Sequence, residues 1–277
     1  MSYRAPRNIT SWRQFAKKVR RKPGKLLAGL ADLENTIMIS GCQRSGTTIL
    51  SHIFLEHKDI IDFRRTNDSE LDGALILSGR RKPPDQSGRY CFQATYLNQN
   101  FYEYFDYPGK FKLIFVIRNP YSVVYSMCYH WGSRLRFTNL ALNELFAACG
   151  MNGLTGFERI RIKILSAYGI SPLRKACLAY AGKTAQIFEL HRRLGKDLLV
   201  IDYDDLVREK ENLLPVIFAF VNLPCEKNCT ELIKSGSLDK ADKLSKRAKE
   251  QIRLTCLDVY KRAGKLALKA SARHIVE

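Results

Sequence analysis

Residues 36–55 read as a strand, a turn and a helix in immediate succession. Thr36-Ile37-Met38-Ile39-Ser40 is a short apolar, β-branched run that enters Gly41-Cys42-Gln43-Arg44-Ser45-Gly46. Thr47 to Leu55 then has the length and apolar content of a helix. The alternation continues along the chain. Tyr90 to Phe92 is a weak strand candidate, followed by an aromatic helical stretch from Leu97 to Phe105. Leu113 to Ile117 is five apolar residues in a row, as in a parallel strand buried on both faces. Pro120 suits the first turn of a helix running to about Tyr129. Leu173 to Leu194 reads as a long helix with Gly195 as its C-cap. Leu198 to Ile201 is another buried strand, and Asp204 or Asp205 can cap the element after it. Lys246 to Arg262 is the most periodic helical segment of the C-terminal third. Strands alternating with helices predict an α/β fold, a three-layer sandwich with a mainly parallel central sheet.

The chain has room for that fold. Its 277 residues are 45% hydrophobic and 26% charged, which excludes general disorder. The longest apolar run, Leu213 to Val221, is interrupted by Pro215 and is far shorter than the ~20 residues of a membrane span. The basic N-terminus has no apolar stretch behind it, so no signal peptide is read and a cytoplasmic location is expected. Cys42, Cys91, Cys128, Cys149 and Cys177 are isolated, and only Cys225 and Cys229 lie close together, with no second pair to complete a zinc site. Free thiols and no metal site are the expectation.

Charge narrows the partners. Forty-six basic residues against 27 acidic ones give +19, which favours an anion: nucleic acid, an acidic membrane surface or a phosphorylated small molecule. The excess lies at the ends. Residues 1–25 hold nine basic residues and no acid, and from Lys240 onward eleven basic residues face four acidic ones. The middle, with 26 basic against 23 acidic residues, is nearly balanced. We therefore divide the chain into a basic N-terminal extension, 1–34, and an α/β domain, 35–277. Within the extension Trp12, Phe15, Val19, Leu26 and Leu27 are available to pack on the body. The loops at Arg80-Arg81-Lys82-Pro83-Pro84 and Gly150 to Gly156 read as flexible or lid-like.

The turn Gly41 to Thr48 has the makings of an anion cradle. Its glycines let backbone N–H groups turn inward, and the helix N-terminus behind it adds partial positive charge. The version found in nucleotide triphosphatases puts Lys after the last glycine and before a Ser or Thr that holds magnesium. Here Thr47 stands at the Lys position, and the basic residue is Arg44, three places earlier. Without that Lys the loop suits a shorter phosphate chain: Arg44 and two adjacent hydroxyls can hold one phosphate and a group attached to it without magnesium. A second anion site lies after the strand at Leu113 to Ile117. Arg118 stands at its C-terminal end, where open α/β sheets bind ligands, and Ser126 lies nearly two helical turns beyond Pro120. The Arg fork and the Ser hydroxyl together suit a phosphate. Two such sites on one sheet edge point to a ligand with phosphates at two places.

These residues resemble the motifs of the sulfotransferases that use 3′-phosphoadenosine 5′-phosphosulfate (PAPS). The family's 5′-phosphosulfate loop is similar to Gly41-x-x-Arg44-Ser45-Gly46-Thr47-Thr48, and its 3′-phosphate motif to Arg118-Asn119-Pro120 with Ser126. His57-Lys58-Asp59-Ile60 and Tyr203-Asp204-Asp205-Leu206 also resemble family segments. The likeness covers about residues 35–130 well and 195–260 loosely. It implies a fold of the P-loop nucleotide-binding type, PAPS as co-substrate and no metal. By the resemblance Arg44 would contact the phosphosulfate and steady charge on the bridging oxygen. Gly41, Ser45, Gly46, Thr47 and Thr48 would frame the 5′-phosphate, while Arg118 and Ser126 would hold the 3′-phosphate. A hydroxyl or amine acceptor would attack sulfur in line, with preorganised donors carrying most of the rate enhancement.

The sequence departs from the family's pattern at Gln43, where Pro is frequent, and at Phe92-Gln93-Ala94-Thr95-Tyr96, which lacks the Lys and His of the cytosolic branch. Other branches use a Glu some 20–30 residues beyond the loop, and Glu70 is the best-placed candidate for the general base, with Asp68 and Asp72 beside it. His52, His57, His130 and His191 are weaker candidates; His130-Trp131 could line an acceptor pocket. The acceptor is open, with carbohydrate and lipid among the choices, and so is contact with an anionic surface. Nucleic acid is disfavoured, because no recognisable binding module accompanies the basic ends. A nucleotide-kinase-like enzyme and a non-catalytic polyanion binder on the same fold are the alternatives.

Overall fold

The structure is a computed structural model that describes residues 9–20, 26–129, 171–233 and 238–269. Its centre is a four-stranded sheet of β1 (Thr36–Gly41), β2 (Cys91–Gln93), β3 (Phe111–Ile117) and β4 (Leu198–Asp202). The order is β2-β1-β3-β4, and every pair is parallel. Ile39 of β1 faces Gln93 on one side and Ile114 on the other.

Topology dictates the layers. The chain leaves β1 for β2 through α2 (Thr47–Leu55) and α3 (Ser69–Leu77). It leaves β3 for β4, in the opposite direction across the sheet, through a connection that includes α4 (Pro120–Tyr129) and α5 (Pro172–Leu194). Right-handed crossovers that step in opposite directions put their helices on opposite faces. All six residues of β1 are accordingly buried, and the α/β sandwich with a parallel central sheet is as the strand–helix alternation predicts. After β4 come α6 (Tyr203–Arg208) and α7 (Lys210–Phe220), whose Phe218 ring lies 4.8 Å from Phe54 of α2. The last helix among the described residues, α8 (Lys246–Gly264), packs Ile252, Cys256 and Val259 into a second apolar cluster with α4 and α5.

Two local expectations need correction. The aromatic stretch expected as one helix from Leu97 to Phe105 is two 3₁₀ segments, Thr95–Gln99 and Phe101–Asp106. Phe101 and Tyr104 are both buried, and residues three apart eclipse in a 3₁₀ turn, so that geometry aims both rings at the core. The cap after β4 is Asp202, whose side chain accepts from the Asp204 amide at 2.9 Å. Asp204 and Asp205 are engaged elsewhere, Asp204 with Arg118 and Asp205 with Lys269.

In the N-terminal segment, the short helix α1 (Trp12–Phe15) runs into a π-helical turn, Ala16–Arg20. Phe15, Val19, Leu26 and Leu27 are buried within the main core, and Trp12 Nε1 donates to Asp68 at 2.8 Å. Arg81, in the loop read as lid-like, is fastened to Asp72 at 2.6 Å and to the Phe63 carbonyl at 3.1 Å. The loop at 150–156 lies outside the described residues. Among the described residues, no helix is long and apolar enough to cross a membrane.

Candidate active site

The sheet order places a topological switch between β1 and β3, because the connection from β1 steps one way and that from β3 the other. Such a crevice at the C-terminal strand ends is where open α/β sheets bind ligands. Both phosphate-type motifs open on it. The loop after β1 begins at Gly41, whose φ is +146° and where an added Cβ would stand 2.3 Å from the Val116 carbonyl oxygen of β3. Only glycine lets the two strand ends approach this closely.

Arg44 is the unusual residue of the loop. Its φ of +72° is left-handed, a conformation that costs a non-glycine residue about 1–2 kcal/mol. In that position its Nε donates to Ser126 Oγ of α4 at 2.9 Å, and its carbonyl accepts from Arg118 Nη1 at 3.4 Å. The loop and the second motif, 82 residues apart from Arg44 to Ser126, are therefore in direct contact. Gly46 ends the loop as the N-cap of α2, with φ +99°. It offers no side-chain acceptor to the first-turn amides of α2, which leaves those donors for another acceptor. A Cβ on Gly46 would lie 2.1 Å from Cδ2 of Tyr203. Gly46→Ala is therefore expected to cost about 2–4 kcal/mol, combining a strained backbone with overpacking. Gly264→Ala, at a helical position where a Cβ meets nothing within 4 Å, should leave stability unchanged or raised. Denaturant unfolding of the two variants checks the contrast.

Around the loop the side chains are strongly cationic. Arg118 is nearly buried; its Nε donates to Asp204 Oδ1 at 3.2 Å, and its guanidinium lies 4.6 Å from the Tyr203 ring centre. Asp204 Oδ2 also accepts from the Asn119 amide at 3.1 Å, and Tyr180 donates to the Arg118 carbonyl at 2.7 Å. Burial and then repulsion from Arg118 lower the pKa of Arg44. A third cation, Lys240, is likewise pushed down by burial, then by Arg118, Arg44 and Lys243. Arg44, Arg118 and Lys240 thus lie close enough to repel one another, and Asp204 is bonded to one of them, Arg118. That is an electrostatic environment suited to a polyanion. Ser45 adds a second sign of fit. It is fully buried in the loop, and its hydroxyl has no hydrogen-bond partner among the described residues. A buried hydroxyl without a partner costs about 1–3 kcal/mol, which an oxyanion in the cradle would relieve.

On the other side of the loop stands Glu70, in the first turn of α3. Its Oε1 accepts from Thr95 Oγ1 at 2.5 Å and from the Tyr96 amide at 3.1 Å, and its Oε2 from Gln93 Nε2 at 3.3 Å. The same Gln93 Nε2 lies 3.3 Å from Thr47 Oγ1. Glu70 is thus joined to the loop through one amide. Its neighbours are occupied otherwise: Asp68 caps α3 by accepting from the Leu71 amide, and Asp72 is buried against Arg81. His57 is buried with Nδ1 accepting from the Asp59 amide, so Nε2 carries the proton toward the Pro224 carbonyl. Its ring packs beside Phe218 of α7. His52 and His191 are exposed, and His130-Trp131 lies outside the described residues.

Four contributors have no motif to mark them in the sequence. Lys240 is one lysine among many in a basic C-terminal third. Gln93 and Thr95 fall in a segment notable in sequence only for the residues it lacks. Lys183, fully buried on α5 with its ammonium on Gln43 Oε1, has the appearance of an ordinary helix-surface lysine.

The sequence matches no family model and no curated protein. Solved structures do resemble it. A sulfotransferase from Alicyclobacillus acidocaldarius is 16% identical, with a TM-score of 0.50 over 87% of this chain and 99% of that one. The sulfotransferase domain of the curacin biosynthetic pathway is 15% identical, with a TM-score of 0.49 over 84% and 97% of the two chains. A mouse sulfotransferase solved with PAP is 14% identical, with a TM-score of 0.49 over 87% and 92%. The first of these establishes the architecture: the chain has a sulfotransferase fold, built on an all-parallel four-stranded sheet.

Proposed function

We propose that the protein is a PAPS-dependent sulfotransferase that transfers the sulfuryl group to a hydroxyl or amine acceptor. The observation that carries this reading is the contact of the two phosphate-type motifs at the switch point, Arg44 Nε on Ser126 Oγ at 2.9 Å, with Arg118 and Lys240 adding charge. A donor with phosphates on the 3′ and 5′ oxygens of one ribose needs two neighbouring anion sites, and a single-phosphate ligand would leave one of them unmatched.

In this reading Arg118, Ser126 and Lys240 hold the 3′-phosphate on the β3 side. Ser45, Thr47, Thr48 and the amides that open α2 hold the 5′-phosphate. Arg44 stands between the two and neutralises charge that builds on the bridging oxygen. Glu70, on the β2 side, takes the proton from the acceptor as its oxygen or nitrogen attacks sulfur. The bond from sulfur to the bridging oxygen breaks, and that oxygen leaves with the electron pair on 3′-phosphoadenosine 5′-phosphate (PAP). No metal enters the scheme, and we place the protein in the cytoplasm. Carbohydrate or lipid acceptors suit the basic surface.

Calorimetric titration with PAP, and separately with magnesium–ATP, tests the donor without an acceptor. Micromolar or tighter binding of PAP, with magnesium–ATP much weaker, is the expected result. Preference for magnesium–ATP would make this a kinase-type loop. Binding of neither would favour a polyanion-binding role for the basic ends.

A further inference from the structure

We infer that Lys183 is a positioning residue for the 5′-anion: it supplies, from helix α5, the loop-directed ammonium that Thr47 replaces in the loop itself. The inference rests on the donor reading above and goes beyond it to a residue outside both phosphate motifs.

The burial is the first argument. The stretch of α5 from Ala176 to Ile187 is buried throughout, and Lys183 lies within it at 0% exposure. Burying an ammonium costs several kcal/mol unless other groups offset it. An amphipathic lysine normally avoids that cost by extending its stem and keeping its charge in water. Lys183 does not. Its ammonium donates instead to Gln43 Oε1, 140 positions away in the chain and next to Arg44 in the loop. An oxyanion seated in the same loop would add a full opposite charge to the partners that the ammonium already has.

The loop's conformation is the second argument. Gln43 immediately precedes the left-handed Arg44, so holding the Gln43 side chain holds the turn that presents Arg44 to Ser126. One turn of α5 earlier, Tyr180 donates to the Arg118 carbonyl at 2.7 Å. Helix α5 therefore grips both anion motifs, one through Tyr180 and the other through Lys183. A rigid element that spans the two sites fixes their separation, as a ligand with two phosphates requires.

The effect should fall mainly on one end of the nucleotide. Lys183→Met is expected to weaken PAP and AMP, which carry a 5′-phosphate, by about 10- to 100-fold, the scale of one charge-assisted hydrogen bond. It should weaken 3′-AMP, which carries the 3′-phosphate alone, clearly less, because Lys183 meets that side of the site only indirectly, through the Arg44–Ser126 contact. Lys183→Arg should recover most of the PAP affinity. Gln43→Met, on a partly exposed side chain, should reproduce the end-selective loss even if Lys183→Met does not fold, and the double variant should be no weaker than either alone. Calorimetric titration of the full chain with the three nucleotides reads all of these. Equal weakening of 3′-AMP, an unchanged PAP affinity in both single variants, or additive losses in the double variant would each overturn the inference. If the wild type binds none of the three, the donor reading fails and this one with it. If the wild type binds PAP and the variants do too, only the role of Lys183 falls.

Discussion

Arg118→Ala is expected to weaken PAP by about 10- to 100-fold while AMP changes little, since the guanidinium is assigned to the 3′-phosphate and each charge-assisted hydrogen bond carries about 1.5–3 kcal/mol. The structure adds a cost that the motif alone does not suggest. Arg118 is paired with Asp204 at 3.2 Å, with both side chains nearly buried. Removing one partner of such a pair leaves an uncompensated charge and costs about 3–5 kcal/mol of stability. Arg118→Ala should therefore lower the unfolding midpoint as well as the affinity. Asp204→Asn in the same chain separates the two effects. The amide keeps an acceptor for Asn119 N–H and removes the stranded charge, so stability should recover in large part and PAP affinity should not. The measurements are denaturant unfolding and calorimetry on the single and double variants. Affinity that returns together with stability would mean that Arg118 acts on the nucleotide only through the fold.

Glu70→Gln is the second variant with a large expected effect. Loss of a general base typically lowers turnover about 10²- to 10⁴-fold. Because the base touches the acceptor and not the nucleotide, PAP affinity should stay within about two-fold of the wild type, inside the spread expected for a change remote from the ligand. The fold should tolerate the change. A glutamine carbonyl can still accept from Thr95 Oγ1 and the Tyr96 amide, and Gln93 can present its own oxygen to the new amide. Transfer of labelled sulfate from PAPS to an acceptor identified by screening reads the rate. Full activity in Glu70→Gln would assign the hydrogen bonds from Gln93, Thr95 and Tyr96 to tying α3 to the segment at and after β2, and the base would lie elsewhere.

Much of the site is legible in the chain itself, for a physical reason. A phosphate loop is a local object: its glycines, its basic residue and its hydroxyls lie within eight positions, from Gly41 to Thr48. Their relation to one strand and one helix comes from hydrophobic pattern. The same holds for Arg118 and Ser126, which one strand end and two turns of helix bring to the same edge. The helix bounds Thr47–Leu55 and Pro120–Tyr129 are readable because a glycine N-cap and a first-turn proline mark their starts.

Other features have no local signature. Gln93 and Thr95 matter because β2 ends beside α3 and sets them against Glu70, a consequence of strand order. The 3₁₀ form of Phe101–Asp106 is hidden because helical spacing of aromatics does not reveal which rings face the core. Asp202 displaces its two neighbours as the cap of α6 once Arg118 and Lys269 claim Asp204 and Asp205.

By itself, then, the sequence determined the layer architecture, the two segments proposed to bind anions and the positive charge, because patterning, glycine placement and charge are properties of short segments. Tertiary structure decided which cations converge and which acids they meet. Arg118 met Asp204 from 86 positions away, Arg44 reached Ser126 across 82, and Lys183 found Gln43 across 140. Coulomb energies and hydrogen bonds depend on separation in space, and only the packed sheet, with its helices on both faces, sets those separations.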